Sequence, residues 1–416
     1  MNKNLSLNLK IDWKQIVPKI EPDTLCLLLE NDQNFTLAWG VGTQWVAKKK
    51  LKWSDFQKFR GNYKNTTSFG YLGYDVKNSI EPFLSSKNKD FQKFPLAYFF
   101  VPKHVLKVNS NSSTYSGVYN LEEIEKFLNS APSKPKNNKS SPVNLSPQTS
   151  KEEYIHNVEK IKSHIQKGDL YEMTYCINFV ANVKEFNPFN TFIKLNKHTN
   201  APFSAYLNTE WGAVLSASPE RFLKKKADSL ISQPIKGTAP RHPDKIKDEQ
   251  IKNDLREDIK ERAENVMIVD LVRNDLSKIA QKKSVEVDEL FGVYTFQTVH
   301  QLISTVKCKI KPATTDSEIF KALFPMGSMT GAPKINAMKF ADKFENFKRG
   351  IYSGAIGSFD EKGDFDFNVV IRSIIYNKTF HTLSAPVGGA ITIKSNPEKE
   401  YQECLTKLEA LNKALC

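Results

Sequence analysis

Apolar residues fall along this chain in two rhythms. Residues 25–29 and 96–101 form short apolar runs of strand length, and residues 205–207, 212–217, 354–359, 367–376 and 379–385 read the same way. Elsewhere the spacing is helical. After Ser150 and Glu153, which stand as a capping box, Tyr154, Val158, Ile161 and Ile165 recur on one face until Gly168 stops the pattern. Residues 121–129 predict a short helix and residues 247–271 a long one, charged at first and apolar at its end. Helices are also predicted over 317–324 and 333–344, with Pro333 at a first helical position. A last helix is predicted to start at the cap Asn396, with Pro397 next, and to run to the C-terminus. This mixture predicts an α+β protein with large antiparallel sheets covered by helices.

Residues 130–150 break the pattern. They are rich in Ser, Pro, Lys and Asn, as expected of a linker or loop. The chain therefore divides into an N-terminal region 1–129, a linker 130–150 and a region 151–416. With 416 residues, 40% of them hydrophobic, it can bury a large core. No apolar stretch is long enough to span a membrane, and the first residues lack the apolar core of a secretory signal. The five cysteines are scattered without CxxC spacing. Free thiols in a reducing compartment are expected, the bacterial cytoplasm or the plastid interior. The formal net charge of +14 raises the thought of a nucleic-acid binder. Lysine is spread along the whole chain, however, and Arg60 is the only arginine before Arg221. No basic stretch interleaved with aromatics occurs, so no nucleic-acid partner is expected, and the excess charge would serve to draw in an anionic substrate.

Several groups could carry chemistry. Glu261 and Glu264 lie three apart on one helix face, and Glu400 and Glu403 repeat that spacing near the C-terminus, with Lys407 one turn on. Four carboxylates from two helices could hold a hard cation such as Mg²⁺; they could equally be ordinary helix-surface acids. Glu220 follows an apolar strand, where partial burial would make it a general acid, while an ion pair with Arg221 would make it structural. Lys236 sits in a rigid loop of prolines and glycine and is a candidate nucleophile or an exposed turn residue. Residues 329–334 open a helix whose free amides suit an anion, and the backbone at 387–390 could approach a carboxylate or be a tight turn. Arg372, placed inside the predicted strand 367–376, needs an acidic partner or a bound carboxylate.

In their order, Ser-Pro-Glu-Arg-Phe (218–222), Pro-Ile-Lys-Gly-Thr (234–238), Ala-Glu-Asn-Val-Met-Ile-Val-Asp-Leu-Val-Arg-Asn-Asp-Leu (263–276), Met-Thr-Gly-Ala-Pro-Lys (329–334), Tyr-Ser-Gly-Ala-Ile-Gly (352–357) and Asn-Pro-Glu-Lys-Glu-Tyr-Gln-Glu (396–403) resemble the chorismate-utilising family. The likeness covers about residues 150–413 and is weaker at 70–75 and 95–98. It implies large antiparallel sheets packed as a sandwich with helices outside. It also implies that Glu264 and Glu403 bind Mg²⁺ directly, with Glu261 and Glu400 reached partly through water. Tyr352, Arg372 and the amides near Gly388 and Gly389 would hold one carboxylate of chorismate. Thr238, His300, Thr330 and Lys407 would line its ring, and Glu220 would protonate the departing 4-hydroxyl. Lys236 matches the branch that aminates chorismate at C4, whereas the anthranilate-forming branch has alanine there. Glu172 replaces the lysine of the water-using branch and the more usual glutamine of the aminating one, and Lys394 replaces a frequent aspartate. Leu28-Leu29-Glu30-Asn31 is similar to a Leu-Glu-Ser element of tryptophan-regulated members. No cysteine stands in a nucleophile turn of the glutaminase kind, so the nitrogen is expected as ammonia, free or from a partner glutamine amidotransferase subunit.

Overall fold

A computed structural model describes residues 4–416, apart from 8, 10, 22, 132–141 and 297–298. Its 20 strands join in one hydrogen-bonded network whose ladders are all antiparallel. The network has two wings that share the long strand Ala97–Asn109. One wing runs from it through Phe35–Ala47, Leu25–Leu29, Phe203–Asn208, Gly212–Ser218, Ser373–Asn377 and Thr382–Ile391 to Glu172–Asn182. The other passes through Ser68–Leu72, Ala355–Phe359, Phe365–Asn368, Arg221–Lys226 and Ser229–Gln233 to Val299–Lys309. Ile235–Pro240 and Glu286–Thr295 flank that last strand.

Strand alternation explains the layering. In Leu25–Leu29, Cys26 enters one core while Leu25, Leu27 and Leu29 enter another. The first core also takes Val214 from the same wing, Phe99 from the shared strand, and Phe69, Phe359 and Phe367 from the other wing, so the two wings pack over a common interior. The second core takes Trp13, Tyr154, Phe192 and Leu411, the apolar faces of four covering helices. Both faces of this wing are therefore buried, and its strands read as continuous apolar runs.

The segments before and after 130–150 are woven together. Leu25–Leu29 lies between Phe35–Ala47 and Phe203–Asn208, and Ser68–Leu72 lies between Ala97–Asn109 and Ala355–Phe359. Of the expected linker, residues 132–141 lie outside the described residues, and Ser146–Pro147 pairs with Glu172–Asn182. All five cysteines are free thiols, and only Cys416 is exposed. Among the described residues no helix is long and apolar enough to cross a membrane.

Three local expectations change. The single helix expected over 247–271 is two, Lys245–Glu257 and Ile259–Ser277. Asp258 leaves helical geometry, and its side chain accepts the Glu261 N–H at 2.8 Å, so it caps a fresh helix. The strand expected over 367–376 is also two, Phe365–Asn368 and Ser373–Asn377, with Arg372 between them at φ +51°. Pro333 is the cap of Lys334–Phe344 rather than its first helical residue.

Candidate active site

A cavity of about 560 Å³ opens where both wings meet two helix starts. Glu261 and Glu264 enter it from the first turns of Ile259–Ser277, and Glu400 and Glu403 from those of Pro397–Leu415. Side-chain caps fix both starts, Asp258 for one and Asn396 for the other. The capping breaks, rather than the acids themselves, aim the four carboxylates inward. Opposite them, Lys236 projects from Ile235–Pro240, and Glu220 stands in the turn between Gly212–Ser218 and Arg221–Lys226. Gly237 permits the close approach: its φ is +92°, and a Cβ there would sit 3.2 Å from a Glu261 oxygen.

The floor is held by a buried ion pair. Arg349 binds Glu345 and donates to the carbonyls of Met329 and Thr174, while Glu345 accepts the Cys176 N–H. This locks Glu172–Asn182 against the segment carrying Ser328 and Met329.

The electrostatics are unbalanced inside the cavity. Burial pushes Glu220 up to about 7, against the pull of the nearby Ser328 hydroxyl and Lys236. Burial also pushes Glu264 up to about 7, opposed by Lys236, and raises Glu261 and Glu400. Burial opposes ionisation of Glu403 as well, but Lys407, at 2.6 Å, outweighs it and holds that carboxyl low. For Lys236, burial favours the neutral amine, yet Glu172 at 2.8 Å and then Glu264 prevail and raise it. Burial lowers Arg372, despite Tyr352 and Glu403 nearby.

Several buried polar atoms here have no hydrogen-bond partner: Glu264 Oε1 and Gln301 Oε1 in the cavity wall, and Glu172 Oε2 beside it. Buried polar groups are almost always paired, so this concentration marks a place built for a polar ligand. Among the described residues, no three His, Cys, Asp or Glu side chains close around one point as a ready-made metal cage. The donor set nevertheless fits Mg²⁺, which binds through one or two carboxylates and fills its shell with water and substrate oxygens. The orphaned Glu264 oxygen and the Lys260 ammonium, 3.8 Å from Glu264 and 3.9 Å from Glu400, show that the acids draw in positive charge.

Of the residues singled out from the sequence, Glu220, Lys236, Thr238, Glu261, Glu264, Tyr352, Arg372, Gly388, Gly389, Glu400, Glu403 and Lys407 all line this cavity. His300 and Thr330 do not. His300 is buried, with Nε2 3.0 Å from Asp248 and Nδ1 3.0 Å from Thr295; its neighbours Val299 and Gln301 face the cavity instead. Thr330 donates to the carbonyls of Met326 and Gly327, and Ser328 and Met329 take its place. Arg221 does not pair with Glu220 but with Asp366, at 2.9 Å. Residues 387–390 are no turn; they lie within Thr382–Ile391, where Gly388 faces Cys176 across the ladder and its carbonyl accepts Lys407 at 2.7 Å. Lys394 is exposed. Sequence reasoning missed Lys260, although its spacing to Glu264 was a visible signal, and it missed Ser328 and Gln301, which carry none.

Residues 22–413 match the family described as chorismate binding enzyme. The chain belongs to that family. Among curated members, an anthranilate synthase component I-like protein of Synechocystis is 33% identical over 351 residues, 83% of this chain and 72% of its own length. Aminodeoxychorismate synthase component 1 of Escherichia coli is 38% identical over 267 residues, 64% of this chain and 58% of its own length. The aminodeoxychorismate synthase of Streptomyces pristinaespiralis is 41% identical over 63% of this chain, which is 36% of its own length. The chain thus spans only part of most of these relatives. Anthranilate synthase component I of Streptococcus pneumoniae superposes with a TM-score of 0.80 at 26% identity, over 91% of this chain and 92% of that one. The menaquinone-specific isochorismate synthase of Escherichia coli superposes at 0.81 with 17% identity, over 100% and 94%, which speaks for the fold alone. As a member of the family, the chain is an α+β enzyme that acts on chorismate.

Proposed function

We propose that this enzyme is a component I aminodeoxychorismate synthase, joining chorismate and ammonia into 4-amino-4-deoxychorismate for p-aminobenzoate and folate synthesis. The observation that carries this reading is Lys236, a nearly buried amine on the cavity wall facing four carboxylates and Glu220. The greater identity to aminodeoxychorismate synthases than to the anthranilate synthase-like relative points the same way.

In this reading Glu264 and Glu403 would hold Mg²⁺, with Glu261 and Glu400 reached partly through water, and the bound ion would supply positive charge to neutralise the ring carboxylate. Arg372, Tyr352 and the backbone at Gly388 and Gly389 take the enolpyruvyl carboxylate. Arg372 is suited to this because its left-handed backbone, costly for a non-glycine residue, turns the guanidinium toward the cavity. The Lys236 nitrogen attacks ring C2, the double bonds shift, and the C4–O bond breaks. Glu220, holding its proton to about 7, hands it to the leaving hydroxyl. Ammonia then adds at C4, the C2–N bond breaks, and Lys236 is released; two easier displacements replace one hard one. The nitrogen source is ammonia from a glutamine amidotransferase partner, and the setting is the cytoplasm.

The test is the product. Purified protein with chorismate, Mg²⁺ and ammonium should yield 4-amino-4-deoxychorismate, which retains its pyruvyl carbons. Release of pyruvate with the fluorescence of anthranilate would sink this assignment in favour of anthranilate synthase, and no product without Mg²⁺ is expected.

A further inference from the structure

A lysine must be neutral to attack carbon, and the surroundings of Lys236 hold it charged. Its side chain is 12% exposed, and its hydrogen bond goes to Glu172 Oε1 at 2.8 Å. Glu172 is wholly buried at the start of the Glu172–Asn182 strand and does not line the cavity. Its second oxygen has no hydrogen-bond partner. A buried ion pair is a poor source of stability, because desolvation cancels most of the attraction. A carboxylate at contact distance is, however, the nearest base that can take the proton while the amine's lone pair turns to the ring.

We propose that Glu172 is the proton acceptor of the Lys236 amine, taking its proton as the C2–N bond forms and returning it as that bond breaks. This rests on the reading of Lys236 as nucleophile. The balance closes over the cycle. At the start Lys236 is an ammonium, Glu172 a carboxylate and Glu220 a carboxylic acid. Proton transfer to Glu172 frees the amine, attack at C2 makes a substituted ammonium, and the 4-hydroxyl leaves as water with the Glu220 proton. When ammonia adds at C4, the C2–N electron pair returns to Lys236, which recovers its proton from Glu172. The new C4 ammonium gives its extra proton to Glu220, and all three groups are restored.

The proposal has a signature in pH. A pair that shares one proton internally reaches its reactive form without exchanging with solvent, so that step is independent of pH. With Glu172 replaced by Gln, Lys236 must lose its proton to bulk water. Its reactive fraction then rises about tenfold per pH unit below its own pKa. Other groups face the pair: Glu261 and Glu264 from one helix, Glu403 from the C-terminal helix and Glu220 from the turn. They are present in both proteins and cancel in the ratio of the two rates. The experiment is single-turnover formation of the covalent adduct by the Mg²⁺-loaded enzyme without ammonia, followed by intact-protein mass spectrometry from pH 6.5 to 8.5. The E172Q-to-wild-type rate ratio should start near 0.01 or below and climb about tenfold per unit, and E172D should keep a flat ratio. A flat ratio for E172Q would overturn the role of Glu172 while leaving the nucleophile intact. Absence of the adduct in wild type would overturn the nucleophile reading itself, and this proposal with it. Should E172Q not fold, E172D decides: a steep ratio there overturns the proposal.

Discussion

Lys236 and Lys334 are made of the same ingredients and end in opposite states. Each side chain is 12% exposed, and each is paired with a carboxylate that is almost fully buried, Glu172 at 1% and Asp275 at 4%. Lys334 spends all of its donors: it binds Asp275 and the carbonyls of Leu323 and Pro325, at 3.1 and 2.7 Å. Both oxygens of Asp275 are engaged as well, one by Lys334 and the other by Lys278. Glu172 keeps one oxygen unpartnered, and Lys236 faces the open cavity. Burial lowers Lys334, whereas the crowd of acids around Lys236 outweighs burial and raises it. A buried lysine with closed hydrogen bonding is a structural clamp; one with open valences beside unsatisfied acids is equipped to act on a ligand.

Substitution separates the two most sharply at the level of turnover. Lys236→Ala should cut C4 amination at least about a thousandfold, the scale on which removing a covalent nucleophile acts. The variant should still give a cooperative unfolding transition. Residual amination within tenfold of wild type would erase the distinction. Lys334→Ala should instead lose about 3 kcal/mol in urea unfolding, the cost of leaving Asp275 short of its buried partner. Turnover per folded molecule should stay within about threefold. A K334A protein of native stability and no activity would put Lys334 in the chemistry.

The contrast was only half visible in the sequence. Lys236 and Lys334 each stand in a Gly- and Pro-rich motif, and nothing in the residue order says which one is closed off. Helix and strand rhythm located most elements, because strands buried on both faces and helices with one apolar stripe leave clear periods. What the rhythm missed were two breaks that make the site. Asp258 interrupts a charged helical run by capping a new one, and Arg372 takes a left-handed conformation inside an apolar run. In both cases a single residue's local geometry overrides a pattern spread over many. His300 lies off the cavity for a related reason: in a strand, adjacent residues point to opposite faces, and only the register of Val299–Lys309 decides which of them faces the cavity. The partner of Arg221 was hidden for a different cause. Asp366 is far away in sequence and is brought near by sheet pairing.

Glu220 and Glu264 give the finest version of the comparison, because both are pushed up to about 7 chiefly by burial and yet are assigned different work. In the unfolded chain each would lose its proton near 4.5. Between that pH and about 7 the folded protein holds protons that the unfolded chain has released, so these two groups make stability fall as pH rises through this window and level off above it. In the absence of divalent cation, Glu220→Gln should remove its share of that decline, on the order of 1–3 kcal/mol between pH 4.5 and 7.5. Urea unfolding of the variant against wild type measures it. Added Mg²⁺ should cancel the Glu264 share by favouring the ionised carboxylate, and should leave the Glu220 share in place. If Mg²⁺ abolishes the entire slope in wild type and has no effect on it in E220Q, then Glu220 rather than Glu264 is the group that meets the cation, and the division between the acid wall and the proton donor is drawn in the wrong place.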